Sequence, residues 1–448
     1  MYHVIETFFY LPDVLFLFSI LLFMALRLAN ISDFGPAQDC VVMDTSSSGK
    51  LDLNNDDVSS SFNAIEPINV SLKSCLACSG CVTTSEVVLL SSQSLASLFK
   101  LKQPIVFSIS PQVRASFGVY WDIDSTTAMR RLCGLLKTMF PNCLVVDMAS
   151  AVDIALLATK QELLHRLNHE PNRLPLLVSA CSGVVCYFEK LHPSLLNLLS
   201  SVPSPQFIQG VLVSEKFPSH AHVVVAPCHD RKLEAFREEL NFRRVEGLSD
   251  NGVDCVVTAS EVLQLITETS IEGVPEFKGP IIFDESDFDL LFDSDYERRL
   301  PARHQESGGY VDYVYSSIEN SPPVWSVPKR KGDARHLKSE LLGSHFSEVF
   351  GFREVQNLIR QIKKGKTKTS LVEVFACPSA CINGGGLIGG SGGFGDGNVL
   401  EKTKSVLTDL PSHSPDENHL IPGLLERNWF MAKFTAREEQ SNPAKIDW

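Results

Sequence analysis

Short apolar runs that end in cysteine constrain this chain more than any other feature. Leu174-Pro-Leu-Leu-Val-Ser-Ala-Cys181 and Ala221-His-Val-Val-Val-Ala-Pro-Cys228 are two of them. A third, Ser370-Leu-Val-Glu-Val-Phe375, leads into Cys377, Cys381 and the triple glycine at 384–386. Similar runs occupy 104–111, 143–147 and 252–258, and helical periodicity fills 126–140, 150–168, the stretch from 228 through 240, and the residues from 260. Short continuous apolar strands alternating with helices predict an α/β protein whose parallel sheets are covered on both faces. Ligands in such sheets bind at the carboxyl ends of strands. The thiols of Cys181, Cys228, Cys377 and Cys381 are therefore expected at one site. Glycines beside them let backbone approach something bulky and sulfur-loving, as an iron–sulfur cluster is. A Gly-rich turn with buried free thiols is the other reading of the 375–386 stretch. Cys133, Cys143, Cys186 and Cys255 lie inside apolar patterns and read as core.

A second cysteine cluster stands nearer the N-terminus. Cys75, Cys78 and Cys81 form C-x2-C-x2-C, the front part of a ferredoxin-type run. One loop can aim three thiolates at three corners of a cube, and Cys40 is the nearest unclaimed cysteine for the fourth. Structural zinc more often pairs two ligands with two others at similar spacing. Zinc and redox thiols remain the competing readings.

Length and charge set the frame. At 448 residues the chain can hold two or three domains. Its net charge of −13 argues against a general nucleic-acid binder. Two basic runs, 329–331 and 363–368, read as solvated loops, and the acidic 284–297 stretch as a solvated or partner-facing surface rather than a cation site. A Gly-rich segment at 384–397 lacks the Gly-Lys-Ser/Thr ending of a phosphate-binding loop.

Five segments are expected. Residues 1–23 are an apolar extension. Residues 24–100 form an N-terminal iron–sulfur segment containing a polar linker at 41–66. Residues 101–202 and 203–386 form two α/β lobes with a seam at Pro203-Ser-Pro205, and 387–448 a Gly-rich loop and tail. Within the extension, residues 14–26 carry no charge, but thirteen residues are short of the roughly 20 that span a bilayer. No Lys or Arg precedes them, so a signal peptide fits poorly. A working start at Met24 is the preferred reading, with a weak membrane anchor as the alternative.

Several motifs occur together and in a fixed order. They are Lys73-Ser-Cys-Leu-Ala-Cys-Ser-Gly-Cys-Val-Thr, Ser108-Ile-Ser-Pro-Gln-Val-Arg-Ala-Ser116, Ser179-Ala-Cys-Ser-Gly-Val-Val-Cys-Tyr187, Ala226-Pro-Cys-His-Asp-Arg-Lys-Leu-Glu234, Ser307-Gly-Gly-Tyr310 and Val372-Glu-Val-Phe-Ala-Cys-Pro-Ser-Ala-Cys-Ile-Asn-Gly-Gly-Gly386. In this combination the chain resembles the iron-only hydrogenase-like proteins of eukaryotes, also called the nuclear prelamin A recognition factor family, over residues 25–386.

The resemblance implies two lobes, each with a mainly parallel sheet flanked by helices, plus a small N-terminal cluster-binding segment. It implies two [4Fe–4S] clusters, one on Cys40, Cys75, Cys78 and Cys81, the other on Cys181, Cys228, Cys377 and Cys381. It further implies a non-catalytic role in cytosolic iron–sulfur protein assembly, with scaffold proteins, a targeting complex and apoprotein clients as partners. The location is then cytoplasmic, with the nucleus second. Neither nucleic acid nor membrane is an expected partner. Two other functions stay open: a hydrogenase-like redox enzyme and a prelamin-binding protein. Ala180 stands where hydrogenases carry a second cysteine, and Arg231 where they carry a lysine. Ser182, Val184 and Ala380 replace the family's usual Pro, Trp and Gly. The terminal Ile446-Asp447-Trp448 looks like a docking signal for the targeting complex.

Overall fold

The computed structural model describes residues 90, 92–237, 252–268, 270, 271, 273–275, 283–292, 308–326, 334–389, 397–409, 414–417, 432, 434 and 435. Cys40, Cys75, Cys78, Cys81, Met24, the 14–26 run and Ile446-Asp447-Trp448 lie outside the described residues. Among the described residues no helix is long and apolar enough to cross a membrane.

In chain order the elements are α1 (Leu95–Leu98), β1 (Ile105–Ile109), α2 (Pro111–Trp121), α3 (Ser125–Met139), β2 (Leu144–Asp147), α4 (Ala149–His169), β3 (Leu176–Val178) and α5 (Ser182–Leu191). They continue with α6 (Pro205–Lys216), β4 (Ala221–Ala226), α7 (Asp230–Glu234), β5 (Cys255–Thr258), α8 (Ala259–Thr267) and α9 (Tyr310–Glu319). The last are β6 (Arg335–Ser339), β7 (Ser344–Phe350), α10 (Phe352–Lys363), β8 (Thr369–Phe375) and α11 (Gly397–Thr408).

Local chemistry sets the helix starts. Asp124 caps α3 by accepting the Thr126 and Thr127 N–H groups at 2.9 Å each. Thr258 and Glu261 form a reciprocal capping box on α8. Such caps contribute about 1 kcal/mol each. Pro205 opens α6, with the Ser204 hydroxyl accepting from Phe207 N. Pro203-Ser-Pro205 leads directly into α6.

The strands form two four-stranded sheets, β2-β1-β4-β5 and β3-β8-β7-β6. The first is parallel throughout. The second is parallel except for the β6–β7 hairpin. The mainly apolar strands β1, β4 and β5 are buried along their whole length, as a sheet covered on both faces requires. The expected boundary at 202/203 does not divide the sheets. β3 precedes it yet joins β8, while β4 and β5 follow it yet join β1. A parallel sheet pairs strands through long crossovers, so neighbours in space need not be neighbours in sequence.

One further expectation changes. The helix expected to reach Leu240 is only Asp230–Glu234, closed by N–H bonds from Phe236 and Arg237 to the carbonyls three residues back; residues 238–240 lie outside the described residues. The acidic stretch exposes Asp284, Glu285 and Asp287, while Asp289 anchors it to the sheet. Asp289 N donates to Val145 O, and its carboxylate accepts from Val145 N, so it pairs along the outer edge of β2. Gly134 on α3 makes room for the Asp284 carbonyl, where a Cβ would collide. A paired edge no longer offers a template for another chain.

Candidate metal centre

The cysteines leave the sheets at strand ends. Cys181 follows β3 and forms the N-cap of α5. Its N–H donates to the Ser179 hydroxyl at 3.1 Å, and that hydroxyl donates to Val374 O of β8 at 2.6 Å. The β3 exit is thereby tied to the neighbouring strand that carries Cys377 and Cys381. Cys228 follows β4 of the other sheet. After β8 the chain turns sharply: Ala380 N donates to Cys377 O at 3.1 Å, and Ser379 and Ala380 take the left-handed conformation at φ +61° and +51°. The 3-10 turn Ala380–Asn383 then holds Cys381.

These four thiols lie close enough to feel one another's charge. Each of Cys181, Cys228 and Cys377 is destabilised as a thiolate by neighbours within the set, after burial itself. Burial pushes Cys181 up to about 12. Cys228 and Cys377 are also raised well above the ordinary thiol range, again by burial first. Cys381 is raised by burial, but the Arg231 guanidinium opposes the shift by its charge. All four are free cysteines rather than disulfides.

A metal bound to these thiols would deprotonate them outright. Among the described residues no group of three His, Cys, Asp or Glu converges as a single-ion site. A mononuclear site needs sulfurs about 2.3 Å from one common centre. A polynuclear cluster, in which each thiolate takes a different iron, needs no such convergence. The donor set is all sulfur, with Cys181 buried and Cys228, Cys377 and Cys381 half-buried beside glycines, and its chemistry fits an iron–sulfur cluster.

Two cavities flank the thiols. One, of about 50 Å³, is lined by Cys381, Arg231, Tyr310, Gln206, Ser110 and Met148. The partial exposure of Cys381 is to this space. The other, of about 40 Å³, is lined by Cys181, Ser182, Ser204, Glu234, Arg237 and Phe434. Ala180 contributes to both walls. Tyr310 sits at the start of α9 behind Gly309, whose φ of +76° makes the turn. Its phenol is pushed up by burial and then by the Glu373 carboxylate.

Cys133, Cys143, Cys186 and Cys255 are buried away from this set, as their sequence settings predict. Cys186 instead faces Arg237, whose guanidinium lies 3.9 Å from its sulfur and pairs with Glu189. What the sequence does not reveal is the arm Glu234–Arg231–Cys381. The i,i+3 spacing of its first two members is visible, but its place beside a cysteine 150 residues later, by their numbers, is a matter of tertiary folding.

Comparison with known proteins agrees with this architecture. Residues 103–385 match the family described as the iron only hydrogenase large subunit, C-terminal domain. Cytosolic iron-sulfur assembly component 3 of Rattus norvegicus is 32% identical over 460 residues, covering 92% of this chain and 94% of that protein. The cytosolic Fe-S cluster assembly factor narfl of Xenopus tropicalis is 31% identical, covering 93% and 94%. Among solved structures, apo [FeFe]-hydrogenase HydA1 from Chlamydomonas reinhardtii superposes with a TM-score of 0.60 at 18% identity, covering 79% of this chain and 99% of that one. The [FeFe]-hydrogenase HydA(deltaEFG) gives 0.60 at 20% identity, covering 78% and 98%. A family match across both sheets, with relatives above 30% identity along nearly the whole length, places this chain in the iron-only hydrogenase-like family.

Proposed function

We propose that this chain is a non-catalytic component of cytosolic iron–sulfur protein assembly. It holds two [4Fe–4S] clusters and passes clusters from a scaffold, through a targeting complex, to cytosolic and nuclear apoproteins. The observation that carries the reading is the meeting of Cys181, Cys228, Cys377 and Cys381 from three strand ends in two sheets. The names of the relatives point to the same process.

The buried site is structural in this reading. Cys181, Cys228, Cys377 and Cys381 hold its cluster, and the enclosing sheets keep water and oxidants from it. Cys40, Cys75, Cys78 and Cys81 hold the second, exchangeable cluster. Ala180 offers no proton carrier at the cavity wall beside Cys381, which favours a carrier over a proton-reducing catalyst. Ile446, Asp447 and Trp448 dock on the targeting complex, an apolar plate beside two negative groups.

Anaerobic purification with iron and acid-labile sulfide analysis tests the cluster reading. About eight of each per chain are expected for two cubanes. Stoichiometric zinc without sulfide overturns it. Hydrogen evolution above a metal-free control overturns the carrier role. Deleting Trp448 is expected to weaken co-purification with the targeting complex while iron content stays unchanged.

A further inference from the structure

Cys381 has a neighbour that is neither cysteine nor solvent. Arg231, on the short helix after Cys228, is 8% exposed. Its Nη1 donates to Glu234 Oε2 at 2.6 Å, and Arg231 and Cys381 line the same small cavity. Glu234 is itself held by the Ser182 hydroxyl, which donates to Oε2 at 3.3 Å. The Arg231 carbonyl accepts from Gln206 Nε2 at 3.0 Å, so backbone and side chain are both fixed. The other cations of this segment are engaged elsewhere: Lys232 pairs with Glu261 at 2.6 Å, and Arg237 with Glu189.

A buried positive charge beside a ligand sulfur has a definite consequence. It draws electron density from the thiolate and stabilises whichever cluster state carries more negative charge. Low polarity around it strengthens the effect. Glu234 acts in the opposite sense, because its carboxylate lies one group further out and offsets part of the guanidinium charge.

We propose that Arg231, oriented by Glu234, is a positioning residue that raises the reduction potential of the cluster held by Cys181, Cys228, Cys377 and Cys381. The inference rests on the cluster reading above. Removing the guanidinium then favours the oxidised state, and neutralising Glu234 favours the reduced state. A residue that merely props up the fold would not give opposite signs.

The test uses the full chain, purified anaerobically and loaded with iron and sulfide. Arg231→Gln and Glu234→Gln are titrated with dithionite and followed by electron paramagnetic resonance, with the signal of the N-terminal cluster as internal reference. Arg231→Gln is expected to shift the reduction equilibrium about tenfold toward the oxidised form, about 59 mV for a one-electron couple. Glu234→Gln is expected to shift it the other way. Arg231→Gln leaves a buried carboxylate without its partner and can fail to fold. Glu234→Gln keeps shape and hydrogen-bonding reach, so its sign alone decides. Parent-like potentials in both variants, or shifts in one direction, overturn the inference. A parent chain without iron and sulfide removes the cluster reading and this inference with it.

Discussion

Gly386 rests directly on Cys228: a Cβ at Gly386 would lie 3.1 Å from Cys228 Cα and 2.7 Å from the Thr258 Cγ2 methyl. Its N–H donates to Pro227 O at 2.9 Å, and its own carbonyl accepts from Ser260 N at 2.9 Å. At Gly384 a Cβ would run into the Pro227 carbonyl. The loop that carries Cys381 from one sheet thus docks backbone to backbone on the loop that carries Cys228 from the other. The glycines are what allow the two loops to approach this closely.

Gly386→Ala is accordingly expected to part the two loops. Overpacking of this kind costs about 1–3 kcal/mol. Iron bound at the buried site should be lost while far-ultraviolet circular dichroism stays that of the parent. A variant with full iron content would show that the loops tolerate separation.

Ser379 and Ala380 predict a contrasting pair. Both adopt positive φ, which costs an L-residue roughly 1–2 kcal/mol relative to glycine. Ser379 is half-buried and makes no side-chain capping bond, so Ser379→Gly loses little and should raise stability by about 1 kcal/mol. Ala380 is fully buried, and its methyl contributes about 0.8 kcal/mol of packing. Ala380→Gly should therefore be close to neutral. Chemical denaturation of the two variants checks the ordering.

The strands were legible because burial on both faces leaves an unbroken apolar signature. The 104–111, 143–147 and 252–258 runs became β1, β2 and β5 with ends displaced by a few residues. Partition between sheets was not legible, since β3 and β4 carry the same kind of run yet belong to different sheets. The β6–β7 hairpin escaped notice because β6 is a half-exposed edge with polar side chains, Arg335-His-Leu-Lys-Ser339. That Cys181, Cys228 and Cys377 follow strands could be read from the sequence, but the glycine contacts beside them and the Arg231–Glu234 pair depend on tertiary folding.

The core cysteines carry a prediction in pH. Burial, the largest cause, pushes Cys143 and Cys255 up to about 12, and Cys133 further still. Only the thiolate is nucleophilic, and an unperturbed cysteine ionises near about 8.5. At pH 8 the thiolate fraction of Cys143 or Cys255 is lower than that of a free cysteine by a factor on the order of a thousand. Raising pH increases it about tenfold per unit until the thiol pKa is reached. Alkylation of the native chain, mapped by mass spectrometry, should spare Cys133, Cys143 and Cys255 at pH 8 and label them after unfolding. Rapid native labelling at any of them would contradict their placement in the core.

Phe434 closes one wall of the cavity beside Cys181. Its ring packs against the larger core cluster, and two residues earlier Ala432 N donates to Ser201 O at 3.0 Å. Ser201 in turn is fixed by the buried Glu162 carboxylate, which also pairs with Arg166 at 2.6 Å. The tail contact therefore stands on a rigid base rather than on a loop. Phe434→Ala removes the ring from the wall without touching a thiol or the Glu162 network. Truncating a half-buried aromatic of this kind costs less than the roughly 3–5 kcal/mol of a fully buried one, so the fold should persist. Iron at the buried site should still load to the parent level but leave faster when a small chelator is added anaerobically. Parent-like release would mean that the tail does not control access to Cys181.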